Sequence, residues 1–534
     1  MSLDVVIRGG LLCGGDPVPP VAGDLGIAGG RIAAIGAIDA TAPVEIDARG
    51  LVVAPGFIDI HSHSDYTLLV DPRARSAVHQ GVTLEVLGNC GFGCAPIGDP
   101  ALAPGSIYGC DGSVPLDWRG IAGYLDRLEE RRPAVNVMTL VPNGQLRRAT
   151  VGLADRPATP DELAAMRRLL AEGIEEGAVG FSTGLEYPAE SGAPEAEVTA
   201  LVAVARAAGG LYATHTRARD AAALPAIDEA IRAAAATGAR LQVSHLFPRA
   251  TADGMIGRAI ERIERAAAAG IDVHFDMHTR PFGTTMLNTL VPPWASAEGP
   301  ERRAALLRDP AARARMRDHR SIVASLGDWS RVVLLDLPPW PQYSRRSLAE
   351  IGAERGQDPH DAALELLAAE PAEGRPFMVI LLCYSADQQA EMFAHPGCVP
   401  ASDATTLAPD GPLAGAVFHG AYSWAAWFWR FTVTERRLLA PEEAVHRMTG
   451  LPADILGLPD RGRLRVGAAA DVVVLDPGRF GERGTVYEPS QLAEGVRHLF
   501  VNGVATLRDG APTGDRGGRV LRGLRPGRGG ALAS

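Results

Sequence analysis

Apolar and polar positions follow two rhythms along this chain. Residues 2–54 run as brief apolar stretches between glycine-rich turns: DVVIRGGLL, GDLGIAGGRIAAIG and VEIDARGLVVAPG. Short period-two runs punctuated by Gly predict the strands of a small β-module rather than helices. The same style returns near the C-terminus in GRLRVGAAADVVVLDP and HLFVNGVATLRDG, where Asn502-Gly503 is a hairpin signal. The two ends are expected to pair into one β-sandwich.

Between them, strand-like runs alternate with amphipathic helical segments such as DELAAMRRLLAEGIEEG and ALPAIDEAIRAAAATG. The strand candidates are 57–61, 82–87, 135–141, 178–183, 211–215, 241–245, 271–277 and 398–403, with 377–383 as a further one. Such alternation predicts βαβ units, a parallel sheet and, at eight strands, a (β/α)8 TIM-like barrel. Residues 281–343, with Pro-Pro-Trp at 292–294 and again at 338–340, break the rhythm and read as an insertion over the barrel mouth. The predicted class is α/β: a first part of the β-sandwich at 1–54, the barrel at 55–458, and the second part with a tail at 459–534. The last dozen residues, rich in Gly and Arg, read as a loose tail.

The chemistry begins at the first central strand. Gly56-Phe57-Ile58-Asp59-Ile60 leads into His61-Ser62-His63, and period-two geometry sends both imidazoles to one side. Two histidines at the end of a rigid strand suit a divalent metal. The next strand ends at Asn89-Cys90, where a thiolate can join them. LYATHT then closes at His215, LQVSH at His245 and CVPASD at Asp403, all at the carboxyl ends of strands, where barrel enzymes keep their chemistry. Any one of these residues alone reads as a packed core side chain or a turn residue; their repeated placement turns the reading to ligands. His61, His63, Cys90, His215, His245 and Asp403 are too many for one tetrahedral ion, and suit a two-metal site with Cys90 as the bridge. Cys94 reads as packing. Among His274, His278 and His419, His278 is the one expected to face the pocket.

Composition narrows the class. Within 534 residues, 46% hydrophobic, no apolar run approaches the ~18 residues of a transmembrane helix. The start, MSLDVVIRGG, lacks the basic and apolar regions of a signal peptide. A formal charge of −11 argues against a nucleic-acid or anionic-membrane binder. Six cysteines, Cys13, Cys90, Cys94, Cys110, Cys383 and Cys398, are too sparse for a disulfide framework. A cytoplasmic enzyme is the expectation, with a small-molecule substrate and room for a homo-oligomer. The sequence has no lysine, so all 52 Lys+Arg residues are arginine. That rules out a lysine Schiff base and a carboxylated lysine between two metals.

These motifs resemble the amidohydrolase superfamily and, within it, the D-aminoacylase (N-acyl-D-amino-acid deacylase) branch. The resemblance rests on PGFIDIHSHSD at 55–65, GVTLEVLGNCGFGCAP at 81–96, GFSTGLEYPAE at 180–190, ATHTR at 213–217 and QVSH at 242–245. It continues through LVPPWA at 290–295, SDA at 402–404, EEAVHRMTGLPADILGL at 442–458 and GAAADVVVLDP at 467–477. It implies a zinc enzyme hydrolysing an amide C–N bond. Cys90, His215 and His245 would hold one tight Zn2+, with His61 and His63 at a second, weaker position and Asp403 as catalytic acid/base.

The substrate grip departs from the family pattern. Phe247 stands where a lysine is usual, and His278 where a tyrosine is usual. GHGTLR becomes PNGQLR at 142–147, and HPR has no clear equivalent before His419-Gly420. Tyr187 is kept. Substrate contacts are therefore expected from Tyr187, Arg147, Phe247 and His278, with Arg217, Arg249 or Arg280 as other sources of charge. The rival enzymatic reading is a less acidic amide, carbamate or cyclic amide, as in hydantoinases, whose frequent carboxylated lysine this chain cannot form. The non-enzymatic rival is an inactive barrel serving in binding or assembly.

Overall fold

The computed structural model describes residues 2–249, 254–319, 321–335, 337, 339–370 and 377–523. The expected loose tail lies almost wholly outside these residues, as does Pro338. The chain ends meet in one nine-stranded sheet, at a seam where Val52–Pro55 runs antiparallel to Val472–Leu475. Period two divides this seam between two cores. Val53, Val472 and Val474 pack with Ile7, Leu25 and Phe500, whereas Val52, Ala54, Val473 and Leu475 join the large central core. The sheet's outer edge carries the Asn502-Gly503 hairpin between Val496–Val501 and Val504–Arg508, both turn residues having positive φ. Beneath the seam, Asp471 accepts hydrogen bonds from Asn502 N, Asn136 Nδ2 and Arg461. That buried network ties the terminal sheet to the central strands.

The central strands are β1 (Phe57–Asp59), β2 (Val82–Leu87), β3 (Asn136–Thr139, resuming at Val141–Pro142), β4 (Gly180–Gly184), β5 (Leu211–His215), β6 (Leu241–Val243), β7 (Val273–His278) and β8 (Cys398–Ala401). They pair in parallel in two arcs, β1-β2-β3 and β3-β4-β5-β6-β7-β8. Just past the ends of β1 and β8, Asp403 N donates to His61 O and His63 N to Ala404 O, each at 2.9 Å. These strands are buried almost throughout, which accounts for their near-continuous apolar sequence. Helices alternate with them, including Pro160–Glu175, Ala223–Thr237 and Met255–Ala268. Thr159 and Glu162 close a reciprocal cap on the first of these.

The run at 377–383 does form a strand, Met378–Leu381, but outside the parallel arcs. It is the centre of a three-stranded antiparallel sheet between Gly283–Met286 and Val332–Leu334. The interruption after β7 therefore draws on residues beyond 343. Among the described residues, no helix is long and apolar enough to cross a membrane.

Candidate metal centre

Backbone geometry gathers the polar side chains at the carboxyl ends of the parallel strands. Cys90 lies in a tight turn after β2, and it shares positive φ with His245 and Asp403. A non-glycine residue in that region costs energy that the surrounding structure must supply, and such residues concentrate at functional sites. Gly184 shows how closely the turn is held: a Cβ there would come within 2.0 Å of Cys90 O. Asn89 clamps the same turn by donating from Nδ2 to Val86 O and Ile60 O.

Two donor groups result, each with its ligand atoms within 4.8 Å of one another: His61, His63, Cys90 and Asp403; and Cys90, His215 and His245. Cys90 is common to both. Its Sγ is 3.1 Å from His61 Nε2 and 3.4 Å from His245 Nε2. Asp403 Oδ1 lies 3.3 Å from His63 Nε2 and 3.5 Å from His61 Nε2, and its Oδ2 accepts from Arg280.

Electrostatics prepare these atoms for a cation. Burial would raise Asp403, but the His63 hydrogen bond and its histidine and Arg280 neighbours hold it well below the usual carboxylate range. Burial lowers His215 to about 4 against the pull of Glu186, and lowers His245 well below the usual imidazole value, helped by the Arg219 charge. Both imidazoles are therefore neutral, with lone pairs free to coordinate. His215 Nε2 is 2.8 Å from Glu186, while its Nδ1 is buried with no hydrogen-bond partner among the described residues. An orphaned buried nitrogen beside a thiol and a second imidazole fits a soft-to-borderline metal such as zinc. Burial pushes the Cys90 thiol up, opposed by His61, so its ionisation is tied to arrival of a cation.

The proposed substrate residues separate. Tyr187 packs its ring 4.7 Å from His215 and 4.8 Å from Phe92. Phe247 and His278 flank Tyr384, at 4.2 and 5.4 Å between ring centroids. Arg147 is a correction: it is buried in an ion pair with Glu197 and donates to Ala189 O and Arg156 O, which commits its charge away from the donor cluster. Its neighbour Arg148 lines the adjacent cavity instead. Arg217 is likewise occupied, by Glu229 and the carbonyls of Ser191 and Ala193.

Sequence reasoning missed several participants. Glu186 bridges His215 and Arg249, and stands next to Tyr187 inside a motif already singled out. Asp276 shares a face of β7 with His278 by period two, a signal that was available. Tyr108, 4.7 Å from His63, comes from an irregular loop that gave none. Together Phe92, Tyr108 and Tyr187 form a wall between the histidines and a cavity of about 960 Å³, whose lining also includes Met286, Leu307 and Phe418.

Known proteins resemble this chain over nearly its whole length. A family model described as "Amidohydrolase family" matches residues 44–507. An N-acyl-D-glutamate deacylase of Alcaligenes xylosoxydans xylosoxydans is 36% identical over 533 residues, covering 98% of this chain and 97% of that one. The crystal structure of N-acyl-D-glutamate deacylase from Bordetella bronchiseptica, complexed with zinc and a phosphonate mimic of the tetrahedral intermediate, superposes with a TM-score of 0.80. It is 32% identical and the match covers 98% of this chain and all of that one. A D-aminoacylase structure gives a TM-score of 0.81 at 29% identity, covering 97% of this chain and 100% of the other.

Proposed function

This chain belongs to the amidohydrolase family, and from that premise we propose that it is a zinc-dependent N-acyl-D-amino-acid deacylase. In this reading the two parallel arcs form a closed (β/α)8 barrel over residues 55–458, flanked by a β-sandwich of both termini. The observation that carries it is the pair of donor groups joined at Cys90. Cys90, His215 and His245 would hold the tight zinc, and His61 and His63, with Cys90 and Asp403, would surround a second, weaker position. Full-length similarity to deacylases of N-acyl-D-amino acids supports the substrate class.

Zinc held there would supply a Lewis acid for the scissile carbonyl and would lower the pKa of water toward neutrality. Asp403, ionised for the reasons given above, accepts the water proton and returns it to the leaving amine. His63 and Arg280 hold the two oxygens of that carboxylate, so the base is fixed in orientation before substrate arrives. Asp276 keeps the His61 ring turned toward the cluster. The aromatic wall limits water on one side, and the cavity beyond it gives the acyl group room.

Metal analysis of wild type and Cys90→Ala, with assays on N-acyl-D-, N-acyl-L- and carboxylate-free amides, tests the reading. Bound zinc lost in the variant, with turnover of N-acyl-D-amino acids, is expected. Asp403→Asn should keep zinc and lose about 10²–10⁴-fold in kcat. Turnover of neutral amides only rejects the substrate; failure to bind zinc rejects the mechanism.

A further inference from the structure

Arg219, Arg249 and Arg280 are three buried guanidinium groups beside the donor cluster. Arg249 is paired with Glu186, and Arg280 is committed to Asp403 and the Ser402 carbonyl. Arg219 is different. At 6% exposure it donates only to neutral oxygens: from Nε and an Nη to Phe247 O at 3.3 and 3.2 Å, and from that Nη to the Tyr384 hydroxyl at 2.9 Å. It has no carboxylate partner among the described residues. Buried charges are normally neutralised by a counter-charge, because neutral acceptors satisfy N–H groups without cancelling the desolvation of the cation. The missing partner is an anion that none of the described residues provides.

The position of this charge matters. Arg219 lies four residues past His215, and its acceptor Phe247 two residues past His245. Its charge reaches His215, His245 and His278, lowering all three beyond the effect of burial. Arg219, in the loop after β5, bonds to the carbonyl of Phe247 in the loop after β6, so the cation is fixed across two neighbouring strand ends. Burial keeps the Tyr384 hydroxyl protonated. Because that oxygen accepts from Arg219, its proton is left to donate. Phe247 and His278, both buried, pack their rings on Tyr384, and in so enclosed a setting a charge-assisted hydrogen bond is strong.

We infer that Arg219, with Tyr384 beside it, holds the α-carboxylate of the N-acyl-D-amino acid. This rests on the deacylase reading. The zinc-loaded enzyme is assayed on a panel of N-acetyl-D-leucine, N-acetyl-D-methionine and N-acetyl-D-glutamate, and the best substrate is compared with its own α-carboxamide. Wild type should prefer the acid, and Arg219→Gln should lower kcat/KM for the acid by about 100-fold while changing the carboxamide by only a few-fold. Arg219→Lys should recover part of the preference, and Tyr384→Phe should lose about 10-fold on the acid alone.

Circular dichroism and zinc content of each variant separate substrate contact from misfolding. If Arg219→Gln weakens acid and carboxamide equally, or leaves the preference intact, Arg219 does not hold the carboxylate. If wild type hydrolyses the carboxamide as well as the acid, no carboxylate grip exists. Inactivity of zinc-loaded wild type on every acid refutes the deacylase reading, and the assignment of Arg219 with it.

Discussion

His61 Nδ1 lies 3.0 Å from Asp276 Oδ1, and both side chains are fully enclosed. The carboxylate accepts the Nδ1 proton and so orients the ring, turning Nε2 toward Cys90 and Asp403. Asp276 does the same for a second ligand through the backbone, accepting His245 N at 2.8 Å, while Gln242 donates to its other oxygen at 3.0 Å. One aspartate therefore orients a residue from each donor group.

Asp276→Asn should lower metal affinity by about 10–100-fold, the range seen when outer partners of metal-binding histidines are altered. Competition with a chromophoric chelator measures it. Unchanged affinity would show that the packed rings alone hold His61 and His245 in place.

Arg147→Met should act on stability. It strands the Glu197 carboxylate in the interior, a change of about 3–5 kcal/mol, with KM unaltered for the folded fraction. Urea unfolding and steady-state kinetics at low temperature separate the two effects. A raised KM with normal stability would return Arg147 to the substrate.

Glu190 gives a pH signature. Burial pushes this carboxyl up to about 7, against bonds from Gly184 N and Asn143. A carboxyl with a raised folded pKa binds more protons folded than unfolded, so stability is highest below its unfolded value and declines as pH rises through the window up to about 7. Glu190→Gln imitates the neutral acid. Its stability relative to wild type should grow across about pH 4.5–7 and reach about 3 kcal/mol above that window. Unfolding midpoints at several pH values check this, and parallel curves would exclude it.

Much was determined by the sequence itself. Period-two runs and Asn502-Gly503 located the terminal strands, and strand–helix alternation located the parallel ones, because both rest on local backbone preference and on which faces must be dry. His61, His63, Cys90, His215, His245 and Asp403 were legible because each follows a strand whose end could be predicted. What surrounds them was not. Arg147 and Arg148 are adjacent in sequence, and only packing decides that one is consumed by Glu197 while the other reaches a cavity. Met378–Leu381 has the composition of a buried parallel strand, yet pairs antiparallel in a separate sheet, since composition records burial and not the partner. Arg219 carries no local signal at all. Its significance is a counter-charge missing among the described residues, and charge balance inside a protein is set by three-dimensional neighbours that come from distant parts of the chain.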